Sequence, residues 1–153
     1  MKSHNKRAKS APRSARAPST TNSPSPLPRL GLSATYQKSV PFEWTIRAYD
    51  PRLPDVLSTP AMIGMMEIAA GLAVMPELPP GAITVGTRIE VDHLKAVPAG
   101  ADVIASARLV EYRGRFLIFD VEARSGSHLI GRGRVFRAIV FPEKFHAKAN
   151  SRA

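Results

Sequence analysis

The chain has 153 residues, 44% of them hydrophobic, which is enough for one domain with a buried core. Its net charge of +10 is concentrated at the start, where eight basic residues precede Glu43, the first acidic residue. The remaining 14 basic and 12 acidic residues nearly balance, so the folded part is not expected to bind nucleic acid. The absence of cysteine excludes disulfides, thiolate metal sites and a cysteine nucleophile, and it agrees with a cytoplasmic location.

Residues 1–38 are rich in Ser, Pro, Ala, Lys and Arg, and five prolines would interrupt any helix there. We therefore expect a disordered extension. Its composition is compatible with an organellar transit peptide, with a segment that contacts nucleic acid or a membrane surface, or with a solvated tail. The prolines disfavour the amphipathic helix of a transit peptide.

An ordered domain is predicted over residues 39–148, with a short tail at residues 149–153. Residues 41–49 alternate between apolar or aromatic and polar side chains, which predicts the first strand. After a proline-containing loop, Thr59 is a good N-cap for a helix and Pro60 a good first helical residue.

The helix is predicted from the apolar run at residues 61–75, in which Glu67 is the only charged residue. A run of 15 residues is shorter than the roughly 20 that a membrane-spanning helix needs, so we expect a soluble protein with no membrane partner. Apolar residues on all sides indicate a helix enclosed by the rest of the domain.

Four extended segments follow the helix, and short turns with glycine separate the last three, which predicts an antiparallel meander. They cover residues 83–94, 101–112, 115–124 and 128–141. The predicted class is therefore α+β, with an antiparallel sheet of about five strands wrapped around one long apolar helix. This arrangement is the hotdog fold.

Three polar residues are candidates for a hydrolytic site where the helix meets the sheet: Thr59, Glu67 and His93. An ionised carboxylate in apolar surroundings is costly, so Glu67 is expected to be paired, protonated or used in chemistry. Histidine changes its protonation near neutral pH and can pass a proton to a leaving group. Eight helical residues separate Thr59 from Glu67 by about 12 Å, too far for a hydrogen bond, so the chain must fold back or a second subunit must contribute.

Each candidate also has a structural interpretation. Thr59 could serve only as a helix cap, and His93 could be a structural side chain on its strand. Gly86 could let a ligand approach the backbone or could mark a bulge, and Gly64 could admit a packed strand or a thin substrate channel. No metal-ligand spacing, phosphate loop, serine elbow or dinucleotide fingerprint is present, so no metal or cofactor is expected.

Several motifs carry a resemblance to a known family: Thr59-Pro60 through Met66-Glu67, Gly86-Thr87 followed by His93, Pro98-Ala99-Gly100, Gly131-Arg132-Gly133, Arg137-Ala138 and residues 143–148. With these motifs, residues 54–148 resemble the fluoroacetyl-CoA thioesterases of the hotdog superfamily.

The resemblance implies that Thr59, Glu67 and His93 form a catalytic triad acting on an acyl-CoA, that the Gly86 backbone binds the acyl end, and that the protein is a homodimer. This sequence departs from the family pattern at two positions. Leu53 stands where the fluoroacetyl-specific enzyme has an aromatic lid residue, and Pro60 stands where that enzyme has glycine. We therefore expect hydrolysis of a small acyl-CoA without strict selection of the fluoroacetyl group. Two alternatives are a non-catalytic acyl-CoA-binding module and an enoyl-CoA hydratase on the same fold.

Overall fold

The structure, a computed structural model, describes residues 27–144. In chain order its main elements are β1 (Ser33–Ser39), α1 (Thr59–Val74), β2 (Ile83–His93), β3 (Asp102–Arg113), β4 (Phe116–Ser125) and β5 (His128–Val140). The predicted tail at residues 149–153 and most of the predicted extension lie outside the described residues.

The strands form one antiparallel sheet in the order β1-β3-β4-β5-β2, and α1 packs across it, mainly against β1 and β3. The predicted meander is confirmed as β3-β4-β5. Its tight turns place Gly114 and Gly126 at φ +57° and +55°, a conformation that glycine adopts without steric cost. The predicted α+β hotdog architecture is therefore correct.

The prediction for the first strand was wrong. Residues 41–49 contain two 3₁₀ turns, Phe42–Trp44 and Ile46–Ala48, and the Thr45 hydroxyl donates to the carbonyl of Phe42 at 2.7 Å. The first strand is instead Ser33–Ser39, which pairs with β3. Its polar sequence forms a strand because the edge of β3 supplies backbone partners, so the domain starts before the predicted boundary at residue 39.

Helix α1 begins one residue earlier than predicted. Ser58 is the N-cap, and its hydroxyl accepts a hydrogen bond from the amide of Ala61 at 3.4 Å. Thr59 is therefore the first helical residue and Pro60 the second. The predicted capping role of Thr59 is corrected, and its hydroxyl is free for other partners.

One side of α1 forms the core, with buried residues Met62, Met65, Met66, Ala69, Ala70, Ala73 and Val74. The expected enclosure on all sides is not found within one chain, because Ile68 and Leu72 are 43% and 39% exposed. With its 3₁₀ continuation the helix spans Thr59–Glu77, 19 residues, which by length and composition alone could cross a membrane. Core helices of soluble proteins meet the same criterion, so this length does not identify a membrane span.

Candidate functional site

Thr59 and His93 meet where α1 begins and β2 ends. The Thr59 Oγ1 lies 2.9 Å from the His93 Nδ1, a hydrogen-bonding distance. This contact is possible because Ser58 caps the helix and leaves the threonine hydroxyl free. Among the described residues the His93 Nε2 is buried without a hydrogen-bond partner, so the second ring nitrogen is available for another group.

This pair lines a cavity of about 320 Å³. The other lining residues come from the segments before α1 and after β2: Ile46, Val56, Leu57, Leu94, Lys95 and Ala96. Apolar side chains therefore border the pair on one side, and Lys95 brings a positive charge to the cavity.

Glu67 lies further along α1, against the backbone of Gly86 on β2. A Cβ atom added at Gly86 would come within 2.8 Å of the Glu67 Oε2 and 2.9 Å of its Cδ. Real Cβ atoms do not approach other heavy atoms so closely. The missing side chain at Gly86 therefore makes room for the carboxylate, which places Gly86 beside the predicted catalytic group.

Arg137 is a residue that the sequence analysis did not assign to the site. It stands on β5, its side chain is only 11% exposed, and its Nη1 donates to the Glu67 Oε1 at 3.0 Å. A signal for it was present in the sequence, because Arg137 is the only charged residue in the apolar run at residues 135–141. The partly buried carboxylate, 30% exposed, is thus paired with a buried cation.

The Glu67–Arg137 pair lines a larger cavity of about 650 Å³. Most of its other walls are apolar side chains of α1 and of the segment leading into β2, including Ile68, Leu72, Met75, Leu78 and Ile83. Gly64 lines this cavity, and a Cβ atom built there would meet nothing within 4 Å. The predicted space beside Gly64 is therefore open in the single chain.

Leu53 does not line either of these two cavities. It is 39% exposed on the loop before α1, where its amide donates to the carbonyl of Asp50 at 2.9 Å. The side chain of Asp50 accepts hydrogen bonds from Arg52, and these hold the pKa of Asp50 below its usual range. The loop that presents Leu53 is therefore held by local contacts.

Within one chain the three predicted catalytic residues are not brought together. Thr59 contacts His93, whereas Glu67 contacts Arg137, and the cavities that the two pairs line have no residue in common. This agrees with the separation along the helix that the sequence predicted. A single copy thus holds the predicted residues in two separate pairs, each lining its own cavity.

Comparison with known proteins identifies the family. The model of the fluoroacetyl-CoA-specific thioesterase family matches residues 40–143. Fluoroacetyl-CoA thioesterase of Streptantibioticus cattleyicolor is 37% identical over 130 residues, which cover 81% of this chain and 94% of the relative. The chain belongs to this family.

Solved structures agree with the family assignment. The structure of the fluoroacetyl-CoA thioesterase FlK matches with a TM-score of 0.74 and 37% identity, covering 82% of this chain and 97% of FlK. A thioesterase superfamily member from Thermus thermophilus matches with a TM-score of 0.73 and 28% identity, covering 84% and 93% of the two chains. A hot-dog-like protein from Thermanaerovibrio acidaminovorans, 23% identical with a TM-score of 0.74 over 80% of this chain and 91% of its own, supports the fold alone.

The family match includes every residue that the sequence analysis placed in the site, from Leu53 to His93. The N-terminal 39 residues lie outside it. Strand β1 therefore belongs to the folded domain but lies outside the residues that the family model matches.

Proposed function

We propose that the protein hydrolyses the thioester of a small acyl-CoA to the free acid and CoA, at a site completed by a second copy of the chain. Its membership of a thioesterase family supports thioester hydrolysis. One observation carries the location of the site: a partly buried carboxylate, Glu67, faces a largely apolar cavity and rests against a glycine that leaves room for it.

Glu67 is the proposed base or nucleophile. As a base it takes a proton from water while the water oxygen bonds to the thioester carbonyl carbon; as a nucleophile its own oxygen forms that bond first. In either case the carbon–sulfur bond breaks, and the thiolate of CoA leaves with the electron pair. The nucleophilic mechanism leaves an anhydride between Glu67 and the acyl group, which water then hydrolyses to free the acid and regenerate Glu67. The Arg137 guanidinium, 3.0 Å away, stabilises the negative charge on Glu67 before the reaction.

His93 is the proposed proton donor to the departing thiolate. Its Nε2 is the available nitrogen, because Nδ1 is engaged by Thr59. In this role Thr59 orients the imidazole ring and need not contact Glu67. In the base mechanism the proton that Glu67 removes from water replaces, through solvent, the proton that His93 gave to the thiolate, so both groups return to their starting state.

A second copy is proposed because β2 is an edge strand. Strand β2 pairs only with β5 in the described sheet, so its outer edge presents unpaired backbone groups. Pairing of β2 with β2 of a second copy would extend the sheet across a two-fold axis. It would also cover the exposed apolar side chains beside the larger cavity, such as Ile68 and Ile83.

We propose a register centred on Glu90, one of those that keep the alternation of side chains along β2. The antiparallel partner of His93 then falls at the bulge between Gly86 and Arg88, next to Glu67. His93 contacts Thr59 of α1, and Glu67 belongs to α1, so both side chains lie on the helix-covered side of the sheet. The same register sets Arg88 of one copy opposite Asp92 of the other, with opposite charges.

The test is a thiol-release assay on a panel of acyl-CoAs, with wild type beside Glu67→Gln and His93→Ala. A variant of FlK has been solved with acetyl-CoA, which makes acetyl-CoA a suitable first substrate. We expect thiol release by wild type and roughly 10²-fold or greater losses in each variant, with the double variant little worse than either single one. Near-normal turnover in either folded variant would refute the assignment of the residues.

The same assay separates the two alternative functions. A non-catalytic binding module would bind acyl-CoA without releasing thiol above the background rate. A hydratase would remove the absorbance of an enoyl-CoA, again without thiol release. Either result with folded wild-type protein would contradict the proposed hydrolysis.

A further inference from the structure

The Arg137 side chain extends from β5 across Gly86 of β2, which has no side chain to block it, and so contacts Glu67. In the pairing of β2 with β5, Arg137 lies opposite Gly86, and Thr84 lies opposite Ile139. Thr84 and Gly86 are two residues apart, so Thr84 is a diagonal neighbour of Arg137 on the same face of the sheet. The guanidinium can therefore contact Thr84 on β2 and Glu67 on α1 at the same time.

Two of its hydrogen bonds go to Thr84 and one goes to Glu67. The Nε donates to the Thr84 Oγ1 at 2.9 Å, and the Nη2 donates to the Thr84 carbonyl at 2.8 Å. The Nη1 donates to the Glu67 Oε1 at 3.0 Å. One edge of the planar guanidinium is thus held by a single residue, and the remaining nitrogen is directed at the carboxylate.

These contacts mean that Thr84 fixes the orientation of the Arg137 guanidinium. Two bonds on one edge fix both the position and the plane of a guanidinium, whereas the carbonyl bond alone leaves its orientation free to change. The Thr84 hydroxyl is the only side-chain atom in this arrangement that accepts from Nε. A side chain without an oxygen would leave a buried cationic donor unsatisfied.

We infer that Thr84 is a positioning residue, which acts through Arg137 to hold the Glu67 carboxylate against Gly86. The inference rests on the proposed catalytic role of Glu67. Thr84 lines the same cavity as Glu67, but its hydrogen bonds go to Arg137 and not to Glu67. Its hydroxyl sets where Nη1 points, and Nη1 sets where the carboxylate oxygen lies.

The first test is kinetic. Thr84→Val keeps the side-chain shape but removes the acceptor, and we expect kcat to fall roughly 10-fold or more while KM changes little. Thr84→Ser keeps the hydroxyl and should restore most of the activity. In an Arg137→Met background, Thr84→Val should cause little further loss, because the residue through which it acts is already absent.

The second test does not depend on activity. A nitrogen–proton spectrum should show a slowly exchanging Arg137 Nε–H signal, identified by its loss in Arg137→Met. We expect this signal to persist in Thr84→Ser and to disappear or exchange rapidly in Thr84→Val. Thr45→Val is the control, since the same change at a buried threonine removes a hydroxyl that bonds only to the carbonyl of Phe42. It should lower stability without changing kcat or the Arg137 signal.

The outcomes separate this inference from the proposed function. If Glu67→Gln is inactive but Thr84→Val has wild-type kcat and keeps the Arg137 signal, the positioning role is wrong and the catalytic role stands. Losses from Thr84→Val and Arg137→Met that simply multiply would also overturn it, because residues acting through one another are not additive. Normal activity of Glu67→Gln would instead remove the proposed function on which the inference depends.

Discussion

The Glu67 carboxylate occupies the space that a side chain at Gly86 would need. An added Cβ atom would lie 2.8 Å from the Oε2. The clash would be with the end of a flexible side chain, so the carboxylate can move away at little cost in folding free energy. Helix α1 and strand β2 could keep their positions while the Glu67 carboxylate, the proposed catalytic group, is displaced.

Gly86→Ala is therefore predicted to separate activity from stability. We expect a kcat loss of roughly 10²-fold, comparable to losing a general base, with a melting temperature close to that of wild type. Thiol release and a thermal melt on the same preparation measure both effects. A variant that keeps its activity, or one that loses activity only because it unfolds, would contradict the prediction.

Mixing two inactive variants tests the shared site. If Glu67 of one copy works with His93 of the other, a mixed dimer of Glu67→Gln and His93→Ala has one intact site. Co-refolding equal amounts should then recover about a quarter of wild-type activity, since about half of the dimers are mixed and each has one working site of two. Light scattering should show a dimer at micromolar concentration. No recovery from folded mixed dimers would place each site within one chain.

Leu53 is predicted to relax the choice of acyl group. One methylene in an apolar pocket is worth about 1 to 3 kcal/mol, so preference should change gradually from acetyl- to propionyl- to butyryl-CoA. Leu53→Phe should shift kcat/KM toward the smallest substrates. A wild-type enzyme that strongly prefers fluoroacetyl-CoA over all others would show that the lid argument is wrong.

Two truncations should show that β1 is needed for folding and that residues 1–26 are not. Deleting residues 1–26, which precede the described part of the chain, is expected to leave folding and turnover unchanged. Deleting residues 1–39 removes β1, which pairs along β3 and packs Ala34 and Tyr36 against the core, and should cost more than about 4 kcal/mol or prevent folding. Urea unfolding and thiol release compare the two truncated proteins. Equal stability of both would show that β1 is dispensable.

Tyr112 gives a prediction for alkaline pH. Burial raises the pKa of Tyr112, and the nearby Glu77 raises it further. The folded state holds the phenol proton more tightly, so stability is retained below the ordinary value of about 10 and falls as pH rises through the raised value. An absorbance titration should show one tyrosine that ionises at a higher pH than the others, and this step should be absent in Tyr112→Phe. That variant should be at least as stable as wild type at neutral pH, because the hydroxyl is buried without a partner among the described residues.

The sequence determined the elements whose signals are local. Fifteen apolar residues with one charge identified both the helix and Glu67, and glycine turns between strands of alternating pattern identified the meander. Periodicity and turn geometry depend on neighbouring residues, so they can be read without the fold. The spacing of Thr59 and Glu67 along one helix was enough to predict that they do not touch.

Only the tertiary structure decided which groups meet. Strand β1 has a polar sequence and forms because the edge of β3 is available to it, whereas the alternating pattern at residues 41–49 folded into turns. Arg137 is 70 residues from Glu67, and no local pattern links a charge on β5 with one on α1. The pairing of β2 with β5 brings Arg137 and Thr84 together, because contacts across a sheet depend on register and on packing between distant segments.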